Sequence, residues 1–530
     1  MIFKTYLSLE VNQMESKSQF KWSDAEFETV LSFFEEISKI PRPSKHEKEI
    51  ASYVEEFGKK NGFETRRDEF DNVVIRVPAS IGYENKPTVV LQSHTDMVCQ
   101  KEPDSSHNFF TDGLELSYVF ENDVPFLKAN KTTLGADDGI GMAYALATAV
   151  SKSLSHPPME LLFTSDEEEG LNGAQNMSAD FITGKYLINL DSEEEGILIV
   201  GCSGGAQFRF ARSFPFENSA KSKTTSHPAE FTYQLTVSGL LGGHSGTDIH
   251  LNRGNAISIA GSFLKKMSEK YNGSFHLADI RGGTAHNAIP RDCIGIFIST
   301  IPEDLIQKEA AEFFSQTQEA IHHEESSFRF KVEPLNEQMP HFSSANTNQI
   351  ACFLAELKAG VFEMSPLFEN TVICSGNLAI VQTIDSPVCD CAALENEAPH
   401  KNLEIIYGLR SGDDSLYRQK MKDLIALGEK FGYRVEISNT YHPWSPNFGS
   451  SFLKKCTDVY QSLFQKEPKI AVIHAGLECS VFSKNNPDIE MIAIGPDILY
   501  AHSPSEKLNL ITAEKVWVYL KEILKSFGDE

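Results

Sequence analysis

Two histidines and a group of carboxylates, placed where apolar runs end, are the residues of this chain best suited to do chemistry. They are His94 and Asp96 in Ser93-His94-Thr95-Asp96, Asp137 and Asp138 in Leu134-Gly135-Ala136-Asp137-Asp138-Gly139, the run Asp166 to Glu169, then Asp191, and finally His502. Imidazole and carboxylate donors without thiolates suit Zn²⁺, Co²⁺ or Mn²⁺. Two histidines and three carboxylates exceed what one catalytic zinc takes, and they suffice for two ions that share a bridging carboxylate. Such a pair can generate hydroxide near neutral pH and polarise a carbonyl oxygen. The His-x-Asp spacing lets Asp96 accept the second ring N–H of His94 and hold its tautomer. Adjacent side chains diverge, so Glu167 beside Glu168 divides into a proton acceptor and a ligand.

Each motif also has an ordinary reading. Asp137 and Asp138 open an apolar helix, Met142 to Val150, and carboxylates commonly cap such ends. Asp166 to Glu169 reads as a solvated acidic face, and His502 before Ser503-Pro504 as a loop histidine. None of these explains why the acidic clusters follow apolar, strand-like runs. Thr88 to Gln92 precedes His94, Glu160 to Thr164 precedes the acidic run, Tyr186 to Leu190 precedes Asp191, and Glu490 to Ile494 precedes His502. Strands alternating with helical stretches point to an α/β sheet, and such sheets bind ligands beyond the carboxyl ends of their strands. Four strands therefore deliver polar side chains to one rim.

Other elements fill in around that rim. Helical periodicity runs through residues 21 to 70, with Ser23-Asp24-Ala25-Glu26 as a cap ahead of Phe27, Val30, Leu31 and Phe34, and a second amphipathic helix through Ile50, Tyr53, Val54 and Phe57. After Gly201-Cys202-Ser203-Gly204-Gly205 the pattern changes. Strand 230–237, helix 252–271, strands 275–280 and 293–300, helix 303–324 and strand 328–332 follow the split, ferredoxin-like β-α-β-β-α-β order. A looser series follows, with helices 348–359 and 415–431 and strands 378–382, 403–409 and 433–438, and it reads as a partial duplication. Pro443-Trp444-Ser445-Pro446 marks the return to the first sheet. The expected fold is a two-domain α/β protein. A mixed-sheet α/β catalytic domain is built from residues 21–204 and 442–530, and an enlarged ferredoxin-like α+β domain, residues 205–441, is inserted into it.

Composition narrows the function classes. A chain of 530 residues exceeds the size at which one core stops growing. A formal charge of −26 argues against nucleic acid and against anionic membrane surfaces. No apolar run reaches the ~20 residues needed to cross a bilayer. Met1 to Phe20 lacks the basic start and apolar middle of a signal peptide. Nine scattered cysteines give no disulfide framework and read as reduced cytoplasmic thiols. Cys389-Asp390-Cys391 is too small for a structural zinc site. Cys202 and Cys479 lack a partner histidine in any nucleophile pattern, and a metal-binding scaffold without turnover would not need Glu167.

Taken together, His94-Thr95-Asp96-Met97-Val98, Gly135-Ala136-Asp137-Asp138-Gly139, Asp166-Glu167-Glu168, Asn189-Leu190-Asp191-Ser192-Glu193 and Ala501-His502-Ser503-Pro504 resemble the aminoacyl-histidine (Xaa-His, or non-specific) dipeptidases. These belong to the di-zinc superfamily of glutamate carboxypeptidases, aminoacylases and aminotripeptidases. The likeness runs from about residue 25 to the C-terminus. His474 to Cys479, Arg281-Gly282-Gly283 and Asn287 to Arg291 narrow it to the dipeptidase branch. Cys99 stands where that branch commonly has proline.

The resemblance implies that one metal takes His94, Asp191 and the bridge Asp137, and the other Glu168, His502 and the same bridge. Glu167 would be the general base and Asp96 would orient His94. A register one residue on would make Glu168 the base and Glu169 the ligand. The inserted domain would act as a lid, with His244 in Gly242-Gly243-His244-Ser245-Gly246 stabilising the oxyanion. Asn287, Asn377 and Arg410 would grip the peptide backbone and terminal carboxylate, and Glu478 would bind a free α-amino group or brace the metal site. The implied activity is hydrolysis of dipeptides by a cytoplasmic, homodimeric enzyme with two divalent ions, zinc or else cobalt or manganese. Trimming of tripeptides and removal of acyl groups from amino acids are the alternatives within the superfamily.

Overall fold

The structure, a computed structural model, describes residues 12–14, 21–217, 230–321, 323–366, 371–385 and 400–529. Cys389 and Cys391 lie outside the described residues. The chain divides into two compact units. One holds residues 1–202, 444–472 and 477–530, and the other holds residues 203–443 and 473–476. The sequence boundaries at 204/205 and 441/442 therefore move by two residues each. The four residues 473–476, expected in the catalytic domain, cluster with the second unit.

The first unit is built on an eight-stranded mixed sheet. Its order is Glu64–Arg67, Val73–Val77, Met159–Thr164, Val89–His94, Tyr186–Asn189, Glu490–Ala493, Ile197–Cys202 and Lys469–Ile473. The four middle strands from Met159–Thr164 to Glu490–Ala493 run parallel. Val89–His94 and Met159–Thr164 are buried at every residue, as parallel strands covered on both faces must be. Helices cover the sheet with the faces that periodicity defines. Phe27, Val30, Leu31 and Phe34 of Phe27–Ile37 are fully buried, as are Trp517 and Leu520 of Leu510–Ser526. Each such side chain contributes about 1.5–3 kcal/mol by leaving water.

A second sheet of five short strands was not anticipated. It contains the hairpin Leu116–Glu121/Val124–Ala129, turned at Asn122 and Asp123 with φ of 52° and 64°. Among the described residues no helix is long and apolar enough to cross a membrane.

The expected cap at Ser23 to Glu26 does different work. Asp24 Oδ1 accepts from Glu26 N at 2.9 Å, and Asp24 Oδ2 meets the buried Lys521 Nζ at 2.5 Å. Glu26 accepts from Lys521 Nζ at 3.1 Å, from the Ser151 and Ser153 hydroxyls at 2.7 and 2.6 Å, and from Lys152 N at 3.0 Å. Partial burial opposes its charge, but these donors outweigh it and hold the carboxyl down at about 2 against an ordinary 4.5. The folded state gains from this above pH 4.5 and loses the gain as pH falls towards 2. Glu26→Gln is expected to lower stability at pH 7 by about 1–3 kcal/mol. The difference from wild type should shrink steadily in denaturant titrations at lower pH.

In the second unit the two series of elements are two ferredoxin-like repeats sharing one antiparallel sheet. The first repeat has strands Phe231–Ser238, Phe275–Gly282, Cys293–Ser299 and Arg329–Leu335, with helices Ala256–Lys270 and Glu303–Ala320. The second has strands Gly204–Glu217, Val372–Asp385, His400–Ser411 and Arg434–Tyr441, with helices Ser344–Glu356 and Asp414–Lys430. The sheet reads fourth, first, third, second through one repeat and second, third, first, fourth through the other. They join where Arg281 and Gly282 pair with Gln382 and Val381. The duplication is therefore complete, with the first repeat inserted after the opening strand of the second.

Candidate metal centre

Each parallel strand of the first unit ends in a polar loop at the same edge. Val89–His94 carries His94 and, just beyond, Asp96; Met159–Thr164 leads to Glu167 and Glu168; Tyr186–Asn189 leads to Asp191; Glu490–Ala493 leads towards His502. Asp137 arrives separately, at the start of the Ala136–Val150 helix, where Asp137 and Asp138 depart from helical dihedrals.

The two oxygens of Asp137 face different histidines. Oδ1 lies 3.0 Å from His94 Nε2 and Oδ2 lies 2.9 Å from His502 Nε2. His94 Nε2 is also 3.7 Å from Asp191 Oδ1, and His502 Nε2 is 3.2 Å from Glu168 Oε1. His94, Asp137 and Asp191 thus form one donor group, and Asp137, Glu168 and His502 another, each with atoms within 4.8 Å of one another. Glu167 joins His94 and Glu168 in a third such group. Glu169 instead turns outward to an ion pair with Lys45, which disfavours the shifted register. Asp138 points at backbone, accepting from His94 N and Gly141 N at 3.2 Å each. Asp96 Oδ1 sits 3.3 Å from His94 Nδ1. The same carboxylate takes the N–H groups of Glu167 and Glu168 at 3.0 and 3.2 Å and the Ser44 hydroxyl at 2.8 Å.

The electrostatics are those of a site built for cations. Burial, and then Asp137, push Asp191 upward; burial pushes Glu167 up as well, with Glu168 and Glu478 adding to it. Asp137 is held low against burial by the two imidazoles, while the Asp137 and Glu168 carboxylates, against burial, pull His502 up to about 11. Glu168 Oε1 is buried, and the His502 Nε2 beside it is shared with Asp137. Carboxylates crowded like this need a shared positive charge, and two divalent ions would supply it through the donors already present. The residues fit the group.

Behind the rim lies a buried polar network that the sequence reading missed. Gln92 Nε2 and Thr164 Oγ1 donate to Glu478 Oε2 at 2.5 and 2.6 Å, and Asn189 Nδ2 donates to Gln92 Oε1 at 2.6 Å. These three residues interrupt apolar strands within two or three positions of a site residue, which was the available signal. Arg42 and Glu506, also buried beneath the rim, gave no comparable signal. Of the two roles expected for Glu478, its surroundings favour bracing over contact with an α-amino group: it is fully buried, raised to about 7 chiefly by burial, and takes the Gln92 and Thr164 donors.

The second unit holds the other candidates. His244 lies on a two-residue strand paired with Ala288–Ile289, and its Nδ1 accepts from Thr247 N at 3.2 Å, which places the ring proton on Nε2. Asn287 is half-buried, and its carbonyl accepts from Ser245 N at 2.7 Å. Asn377 corrects one expectation. It is 3 % exposed and bonded to Ala288 O at 2.8 Å and Asn255 Nδ2 at 3.4 Å, so it shapes the loop rather than gripping substrate. Arg410 donates to the Tyr441 hydroxyl at 3.0 Å. Its charge, after burial, drives His474 down to about 3, and His474 Nε2 shares a 2.7 Å hydrogen bond with Ser375.

Known proteins are similar to this one along most of the chain. The cytosol non-specific dipeptidase of Escherichia coli K12 is 34% identical over 494 residues, 93% of this chain and 96% of that protein. The crystal structure of aminoacylhistidine dipeptidase from Vibrio alginolyticus superposes with a TM-score of 0.79 at 34% identity, covering 96% of this chain and 97% of that one. A tripeptidase from Staphylococcus aureus shares the fold, with a TM-score of 0.56 at 13% identity, over 95% and 99% of the two chains. Residues 90–526 match the profile of peptidase family M20/M25/M40, and the chain belongs to that family.

Proposed function

We propose that this chain is a dinuclear metal-dependent dipeptidase acting on Xaa-His and broader dipeptides. The observation that carries the reading is Asp137, whose two oxygens each approach a different histidine while Asp191 and Glu168 complete the two donor groups. His94, Asp191 and Asp137 would hold one ion, and Glu168, His502 and Asp137 the other. Two bound divalent ions supply Lewis acidity that makes water nucleophilic near neutral pH and polarises a carbonyl.

The chain's own residues do the rest. Glu167 takes the proton of the attacking water on its carboxylate and returns it to the departing amine nitrogen. Its burial pushes the carboxyl above the ordinary carboxylate range, which favours its holding the proton in transit. Asp96 keeps His94 in the tautomer that presents Nε2, and through the Glu167 and Glu168 N–H groups it also sets the direction of the base loop. In the second unit, His244 is a residue of the type that stabilises an oxyanion through a ring N–H, and Arg410 and Asn287 offer groups that suit a terminal carboxylate and a peptide backbone.

Zinc is the proposed ion, and the same donors accept cobalt or manganese. The proposal extends to a cytoplasmic location, in keeping with the similar cytosol dipeptidase of E. coli, and to a homodimer, to be checked by sedimentation. The test compares metal-loaded and chelated protein on β-alanyl-histidine, an N-acetyl amino acid and a tripeptide. The loaded protein is expected to cleave the dipeptide fastest, and chelation should abolish that activity. Faster turnover of the tripeptide or the N-acetyl compound would move the assignment to an aminotripeptidase or an amidohydrolase.

A further inference from the structure

The ligands of the first unit hang on backbone turns, and two buried side chains, a guanidinium and a carboxyl, hold one of those turns from either side. Arg42 is 1 % exposed and Glu506 2 %. Arg42 Nη1 donates to the carbonyls of Thr95 and Asp96 at 3.0 and 2.6 Å, and Nη2 donates to the carbonyl of Gly135 at 2.5 Å. One oxygen of Glu506 accepts from Leu134 N and Gly135 N at 2.8 and 3.1 Å, and the other accepts from Ala136 N at 2.8 Å.

The turn before Asp137 is thus held at one carbonyl by a guanidinium and at three successive N–H groups by a carboxyl group. The loop that Arg42 reaches with its other nitrogen follows His94, and Glu506 lies on the segment that follows His502. Gly135 records how close the approach is. It has a φ of +63°, and a Cβ there would sit 2.6 Å from Arg42 Nη2.

We propose that Arg42 and Glu506 are positioning residues that hold Asp137 between the two histidine-bearing loops and thereby set the affinity for divalent cations. Neither side chain touches a ligand atom; each acts through backbone. The inference rests on the metal-centre reading above. The competing account is that both merely stabilise the fold, and the second unit contains a built-in control for it. Glu325 is 4 % exposed and accepts from Leu241 N at 2.8 Å and Gly254 N at 3.0 Å, so it is a similar buried carboxylate serving a different loop.

Full-length protein stripped of metal is titrated with Zn²⁺ by calorimetry, with amide hydrogen exchange read on the same samples. Glu506→Gln and Arg42→Gln are expected to bind Zn²⁺ about 10–100-fold more weakly, the range for removing an outer support of a metal ligand. Exchange at Leu134, Gly135 and Ala136 should quicken in both. Arg42→Lys should fail to restore affinity, because an ammonium lacks the planar fork that spans two loops. Glu325→Gln should lose thermal stability and bind Zn²⁺ as wild type does.

Affinity indistinguishable from wild type in Glu506→Gln and Arg42→Gln overturns the proposal, and so does an equal loss in Glu325→Gln. Should either glutamine variant not fold, Glu506→Asp and Arg42→Lys take its place, and unchanged affinity in those overturns it equally. Wild-type protein that takes up no divalent ion overturns the metal-centre reading itself, a failure visible without any variant.

Discussion

Glu167→Gln is expected to lower kcat for a dipeptide by about 10²–10⁴-fold, the usual weight of a general acid–base catalyst. Uptake of divalent cations should stay at the wild-type level, because Asp137, Glu168, Asp191 and both histidines are untouched. The amide has nearly the shape of the carboxylate, so the loop that Asp96 holds by the Glu167 and Glu168 N–H groups should keep its course. What disappears is a group able to take a proton. The acidic limb of the kcat/KM profile, where activity falls as the base becomes protonated, should vanish with it. Glu168→Gln makes the contrast, since it should weaken cation binding first and activity in consequence. Metal lost from Glu167→Gln and retained by Glu168→Gln would reverse the two roles.

Asp137→Ala should be more damaging still. Both donor groups contain this carboxylate, one through each oxygen, so a single truncation removes a ligand from each. Changes confined to the outer shell of a metal site cost about 10–100-fold, and loss of a shared ligand should exceed about 10³-fold in activity. Equilibrium dialysis against zinc should show that the variant no longer retains two ions. Asp138→Asn is the informative neighbour. Its carboxylate serves His94 N and Gly141 N, so its loss should fall within the outer-shell range and leave two ions bound. Equal effects at the two positions would mean that Asp137 does not bridge.

The parts of this protein legible in the sequence were those governed by short periodicities and by residue chemistry. Mostly apolar strands ending at His94, before Glu167, before Asp191 and before His502 announced a parallel sheet with a polar rim, because a strand buried on both faces carries few polar groups until it leaves the sheet. The β-α-β-β-α-β order marked the inserted unit for a similar reason, and the Asn122-Asp123 turn of the small sheet was legible though overlooked. Which residue types stand at the rim, and roughly where each element lies, follow from local patterns along the chain.

Which of two neighbouring acids faces the centre depends on the folded chain. Asp137 and Asp138, like Glu168 and Glu169, differ by one position of backbone, and their directions follow from partners far along the chain: His502, His94 and Lys45. The fold also decided that Glu478 and Asn377 are enclosed, since burial is a property of everything packed around a residue rather than of its neighbours in sequence. Arg42 and Glu506 stand 464 positions apart in the numbering yet grip the same turn. No local pattern can express that, because backbone carbonyls and N–H groups are the same whatever residues carry them.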